Sequence, residues 1–252
     1  MKLLTCDDEQ QPMSLAPLFH KLTKTYLILS IPIAAIFVCS SGTRFAAAQA
    51  LARGGVSIVP ISRVFCGDEV TRDGGVWGWR IAANPLGTLN LADGKATSWQ
   101  LVAQIREALE YRPKTIYAMA GRFDVDDPAY SEDRTVEQLK KAHELANGEG
   151  THLVLTLAPY GNSPEKNAQL ASLNARIEKD MPDATILNLN NTIAPQGTLL
   201  NRYTNDGVHL NEAAYTVWAN MVKATMAGGD TFRPNVPAGH TQPGKKDKSS
   251  DD

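Results

Sequence analysis

The sequence is poor in the features that mark several classes of protein. Its 252 residues include only three cysteines, Cys6, Cys39 and Cys66, too few for a disulfide framework. Of these only Cys66 lies beyond residue 50, so that part of the chain cannot form an internal disulfide. Lysine and arginine number 25 against 27 aspartates and glutamates, giving a formal net charge of −2. The basic footprint of phosphate binding is missing, which excludes nucleic acid as a partner. No Cys/His cluster has metal-site spacing, and His143 and His152 stand alone. Asp73-Gly74-Gly75 lacks the lysine and spacing of a phosphate loop and reads as a turn. No internal repeat is present, and neither a metal nor a cofactor is expected.

What the chain does have is distributed unevenly. From Thr25 to Thr43 there are 19 residues without a charge, bounded by Lys24 and Arg44. That run is at the lower limit for crossing a bilayer, and Pro32 is tolerated there. Lys21 and Lys24 precede it, which favours a cytoplasmic N-terminus. Phe45-Ala-Ala-Ala-Gln-Ala50 follows as a small-residue, cleavage-like segment. Residues 1–50 therefore read as a cytoplasmic n-region with a signal peptide or an uncleaved signal anchor. The reading predicts an N-terminal hydrophobic helix, membrane contact through residues 25–43, and export of everything after them, whether periplasmic, secreted or anchored. Residues 228–252 are rich in Gly, Pro, Lys and Asp without apolar period, and are expected to be a disordered tail.

Residues 51–227 alternate strand-like and helix-like segments. The β-rich runs are Val56–Phe65, Thr88–Leu91, Thr115–Ala120, His152–Leu157 and Ala184–Leu189. Helical periods occupy Ser98–Tyr111, Thr135–Asn147, Pro164–Lys179 and Asn211–Met226. Leu101, Val102, Ile105, Ala108 and Leu109 give the first its apolar face, with Ser98 expected as N-cap and Pro113 just past its end. Ser163-Pro164 reads as a cap with proline at the first helical position, and Asn211 as the cap of the last helix. Regular alternation with short connections predicts one α/β domain, a three-layer αβα sandwich around a five-stranded parallel sheet. Sites in such sheets lie beyond the carboxyl ends of the strands. Trp77 and Trp79 are core residues or a platform for sugar rings beside such a site.

Four segments close strands or stand near their ends: Phe65-Cys66-Gly67-Asp68-Glu69-Val70-Thr71, Leu89-Asn90-Leu91-Ala92-Asp93-Gly94, Met119-Ala120-Gly121-Arg122-Phe123-Asp124, and Asn205-Asp206-Gly207-Val208-His209-Leu210-Asn211. In this order and spacing they resemble the four blocks of the SGNH, or GDSL-type, esterase superfamily, over roughly residues 56–227. The resemblance implies the flavodoxin-like fold of that family and a serine–histidine–aspartate triad acting on ester carbonyls. Asp206 and His209 match the aspartate and the base. Glu69 stands where the family has its serine. Ala92 stands at the block-two glycine, where a backbone N–H would survive, and Phe123 replaces the asparagine that helps hold the oxyanion. Asp124 matches the last residue of block three.

Those substitutions bear on the chemistry. Loss of a triad nucleophile costs on the order of 10⁶ in rate in related hydrolytic triads, and loss of one oxyanion donor about 10²–10³. A carboxylate at position 69 would also favour an ion pair with a charged His209. The resulting expectation is an exported, esterase-like protein of the cell envelope, catalytically impaired, which binds an acyl-carbohydrate or another ester ligand, or serves a protein partner. Two alternatives stay open: an active hydrolase or acyltransferase with an unusual nucleophile, Glu69 or a nearby serine such as Ser62 or Ser98, and a structural subunit of an envelope polysaccharide assembly.

Overall fold

The computed structural model describes residues 59–75 and 77–228. The hydrophobic segment 25–43, the leader boundary near residue 50 and the tail beyond 228 lie outside the described residues. Among the described residues no helix is long and apolar enough to cross a membrane.

Five strands, β1 (Arg63–Cys66), β2 (Thr88–Asn90), β3 (Thr115–Met119), β4 (His152–Thr156) and β5 (Thr185–Leu187), form one sheet in the order β2-β1-β3-β4-β5. Every pairing is parallel. The chain steps outward from β1 to β2 and then crosses back to β3, so the strand order reverses between β1 and β3. The carboxyl ends of those two strands flank the crevice where open α/β sheets carry their sites.

The helices are α1 (Glu69–Asp73), α2 (Trp77–Arg80), α3 (Ser98–Glu110), α4 (Arg122–Val125), α5 (Glu132–Gly148), α6 (Pro164–Asp180), α7 (Asn190–Ile193) and α8 (Glu212–Gly228). Successive strand residues point to opposite faces. Phe65, Tyr117 and Val154 lie in register on one face, in a core with Trp77 of α2 and Trp218 and Val222 of α8. Leu101, Ile105 and Ala108 of α3 and Leu139 and Ala142 of α5 are buried too, α3 packing on β1 and β3 and α5 on β4. The α/β architecture with a five-stranded parallel sheet thus follows the alternation in the sequence.

Boundaries moved where distant partners intervene. Ser98 is not the cap of α3 but its first residue; Thr97 takes the cap position and its N–H donates to Gln100 Oε1 at 2.9 Å. Ser98 instead gives its backbone N–H and its hydroxyl to Asp124, at 2.9 and 2.5 Å. β1 takes up only the end of the run Val56–Phe65, since its ladders with β2 and with β3 both start at Arg63; positions 56–58 lie outside the described residues. Helix α5 begins at Glu132, before the apolar period starts, because Ser131 accepts from Arg134 N–H and two acids follow in the first turn. Ser163 and Asn211 do cap their helices, accepting from Lys166 and from Ala213 and Ala214.

The anchor of the α8 face is Trp77. Its ring stacks on Phe65 at 4.5 Å, meets Trp218 edge-on at 4.6 Å, and donates its indole N–H to Thr71 O at 2.8 Å. Trp77 is therefore core, whereas Trp79 is 46% exposed. Truncating such a side chain leaves a cavity and an orphaned carbonyl, so Trp77→Ala is expected to cost about 3–5 kcal/mol in urea unfolding. A loss below about 1 kcal/mol would contradict its assigned place in the core.

Candidate functional site

The site starts at the end of β1. Gly67 has φ +143°, and a Cβ there would lie 2.6 Å from Met119 O and 2.7 Å from Thr71 Oγ1. Only glycine permits this approach of β1 to β3. The Gln104 amide clamps the same residue, accepting from Gly67 N–H at 2.6 Å and donating to Gly67 O at 3.1 Å. Asp68 then caps α1, Oδ1 accepting from Val70 N–H at 3.0 Å, and Glu69 emerges as the first residue of that helix.

The second half comes from the loop before α8. Asp206 Oδ1 accepts the backbone N–H groups of Val208 and His209, both at 2.8 Å, and the Thr204 hydroxyl at 3.2 Å. Its Oδ2 meets His209 Nδ1 at 2.5 Å. These hydrogen bonds to the charged form, the imidazole first, hold the Asp206 carboxyl well below the usual carboxylate range. Aspartate orientation of Nδ1 leaves Nε2 as the free face of the ring. That face points to Glu69, with Oε1 3.9 Å from Nε2. Glu69, Asp206 and His209 are therefore brought together, at a separation across Glu69 and His209 that is longer than a hydrogen bond. Facing His209 Nε2 is thus a carboxyl side chain and not a hydroxyl.

The other residues singled out from the sequence divide differently. Ala92 is buried, and its N–H is taken by Asn90 Oδ1 at 3.1 Å; the surviving amide is not free for an oxyanion in this state. The next N–H, of Asp93, donates to Gly67 O at 3.0 Å and lashes this loop to the end of β1. Phe123 is half-buried and brings no donor; the Arg122 guanidinium carbon lies 6.0 Å from its ring centre. Asp124 is buried and engaged with Ser98, Gly121 N–H and Thr135 Oγ1, tying the exit of β3 to the starts of α3 and α5. Ser62 donates its hydroxyl to Gly87 O at the amino end of β1, and the Ser98 hydroxyl is spent on Asp124. His143 pairs with Asn147, and His152 with Thr185. Among the described residues no group of three or more His, Cys, Asp or Glu side chains could hold a metal ion. Burial pushes the Cys66 thiol far up, away from the reactive thiolate.

Two residues to which the motifs gave no role belong to the site's frame. Gln104 is one, a polar side chain on the apolar face of α3. Arg122 is the other: it follows Gly121 at the β3 exit, and Nη1 donates to Val208 O at 3.2 Å, joining the third block to the histidine loop.

Solved structures carry the same arrangement of elements. A GDSL-like lipase from Bacteroides thetaiotaomicron superposes with a TM-score of 0.62 at 24% identity, over 73% of this chain and 98% of the lipase. The fold is that of the GDSL-type hydrolases. A lipolytic protein of the G-D-S-L family from Veillonella parvula aligns with a TM-score of 0.55 at 17% identity, covering 66% of this chain and 98% of its own. A carbohydrate esterase of family 3 from Talaromyces cellulolyticus gives 0.55 at 11% identity, covering 67% and 97%. No protein-family model matches the sequence, and no curated protein does.

Within this GDSL-type fold Asp68 is the strained member. It is fully buried, and Oδ2 has no hydrogen-bond partner. Desolvation outweighs the Val70 N–H and the nearby Arg122 charge and pushes its pKa up from 3.8 to about 7. A carboxyl raised on folding binds a proton in the folded state that the unfolded chain has released. Its contribution is complete below about pH 4 and is lost as pH rises towards about 7. Asp68→Asn keeps an oxygen for Val70 N–H and removes the titration. Melting temperature measured from about pH 4 to about pH 7 should therefore decline relative to this variant in the wild-type chain. Parallel curves would contradict the assignment.

Proposed function

We propose that this chain is an exported protein of the cell envelope, tethered or released through its N-terminal segment, that uses a GDSL-type hydrolase fold to bind an ester-bearing ligand without hydrolysing it. The observation that carries this reading is the Glu69 carboxylate facing His209 Nε2 at 3.9 Å. In a hydrolytic triad that atom takes a proton from the nucleophile; here it faces an acceptor and is suited to an ion pair. The missing donor at Phe123 and the engaged N–H of Ala92 point the same way, since an acyl-transfer intermediate needs preorganised donors around its oxyanion. The lipase and carbohydrate-esterase names of the structural neighbours support an acyl ligand, and an acyl-carbohydrate is the ligand class we favour.

The reading gives a paired test on acetyl esters. The wild-type chain should release acetate no faster than His209→Ala. The double variant Glu69→Ser with Phe123→Asn should exceed both by at least about 100-fold, well within what a nucleophile and one oxyanion donor supply. Wild-type turnover abolished by His209→Ala would overturn the reading. A folded but inert double variant would mean that the remaining frame is no longer competent.

A further inference from the structure

Next to the histidine loop is a cavity of about 150 Å³, with Arg122, Asp126, Asn162 and Lys166 among its polar lining and Val125 and Leu170 among its apolar walls. Val208, the residue before His209, is part of its lining.

The charges in this cavity do not cancel. Lys166 Nζ pairs with Asp126 Oδ1 at 2.5 Å, which neutralises both. Arg122 makes no ion pair among the described residues, and its one hydrogen bond goes to Val208 O. A guanidinium has five N–H donors in a planar fork, so most of its donor capacity is unspent. The amide of Asn162 is pressed against Gly207, its Nδ2 2.6 Å from where a Cβ on that glycine would be, and it too has no hydrogen bond among the described residues. Asp68 is the buried carboxyl that feels the Arg122 charge, but it forms no bond with it. The cavity thus holds one guanidinium without an ion pair among the described residues, one exposed amide and two aliphatic walls.

That set matches a planar monoanion with a partly apolar body. A carboxylate meets a guanidinium through two parallel hydrogen bonds, while one net charge leaves a doubly charged phosphate half neutralised. We infer that Arg122 anchors the carboxylate of an acidic sugar in this cavity, with Asn162 available to a ring hydroxyl and any acyl substituent directed to the Glu69–His209 pair. This rests on the ligand-binding reading above and narrows its ligand to acidic carbohydrates.

The test is calorimetric titration of the full chain in detergent micelles with a glucuronate-bearing disaccharide and with its neutral glucose counterpart. The acidic disaccharide should bind at least about 10-fold more tightly, the scale of one charge-assisted bidentate contact. Arg122→Gln should reduce that preference to near unity, while Lys179→Gln, which removes an exposed positive charge in the last turn of α6 outside the cavity lining, should keep it. Equal affinities in the wild type, or a preference that survives Arg122→Gln, would overturn the assignment. Should Arg122→Gln fail to fold for want of its bond to Val208, salt carries the same question. The wild-type preference should shrink between about 0.05 and about 0.5 M salt as an ionic contact does, and an unchanged preference would refute it. The two readings fail separately: turnover of an acetylated glucuronate with the preference intact removes only the non-hydrolytic reading, whereas absence of both turnover and preference removes only this one.

Discussion

The close passage of Gly67 against the backbone of β3 sets the position of everything chemical in this molecule. Because no Cβ intervenes, β1 ends within van der Waals distance of Met119, and α1 starts directly above the crevice between β1 and β3. The Gln104 amide fixes the peptide on both sides, and Asp93 N–H binds the neighbouring loop to the same carbonyl. Asp68 is buried as a consequence, at an electrostatic cost visible in its raised pKa. Glu69 is left with its side chain towards the His209 loop.

The opposing half is held independently. Asp206 gathers two backbone N–H groups, a hydroxyl and the imidazole, so the orientation of His209 does not depend on what stands at position 69. Arg122 then links the β3 exit to this loop through Val208. Orientation of the imidazole and identity of the side chain facing it are thus separable.

The sequence made the strand and helix alternation legible because each element carries its own apolar period, and it made Glu69, Asp206 and His209 legible because each lies in a short motif at a strand end or before a helix. What it could not disclose depends on contacts between distant positions. Gln104 reaches Gly67 across 37 residues, and nothing local distinguishes it from a solvent-facing glutamine. Ser98 has the composition of an N-cap, yet Asp124, 26 residues away, takes its N–H and hydroxyl and moves the cap to Thr97. Ala92 retains a backbone N–H, as any residue but proline would, but its neighbour Asn90 occupies it. Arg122 is left without an ion pair among the described residues because Lys166 of α6, 40 residues beyond Asp126, takes that neighbouring carboxylate.

Covalent labelling with a fluorophosphonate, read by intact mass and peptide mapping, tests the central claim most directly, because such probes react with a serine that a triad has activated. The account predicts an unlabelled wild-type chain, and a Glu69→Ser variant that acquires one adduct at position 69 and loses it when His209→Ala is added. A stoichiometric adduct on any serine of the wild-type chain would contradict it.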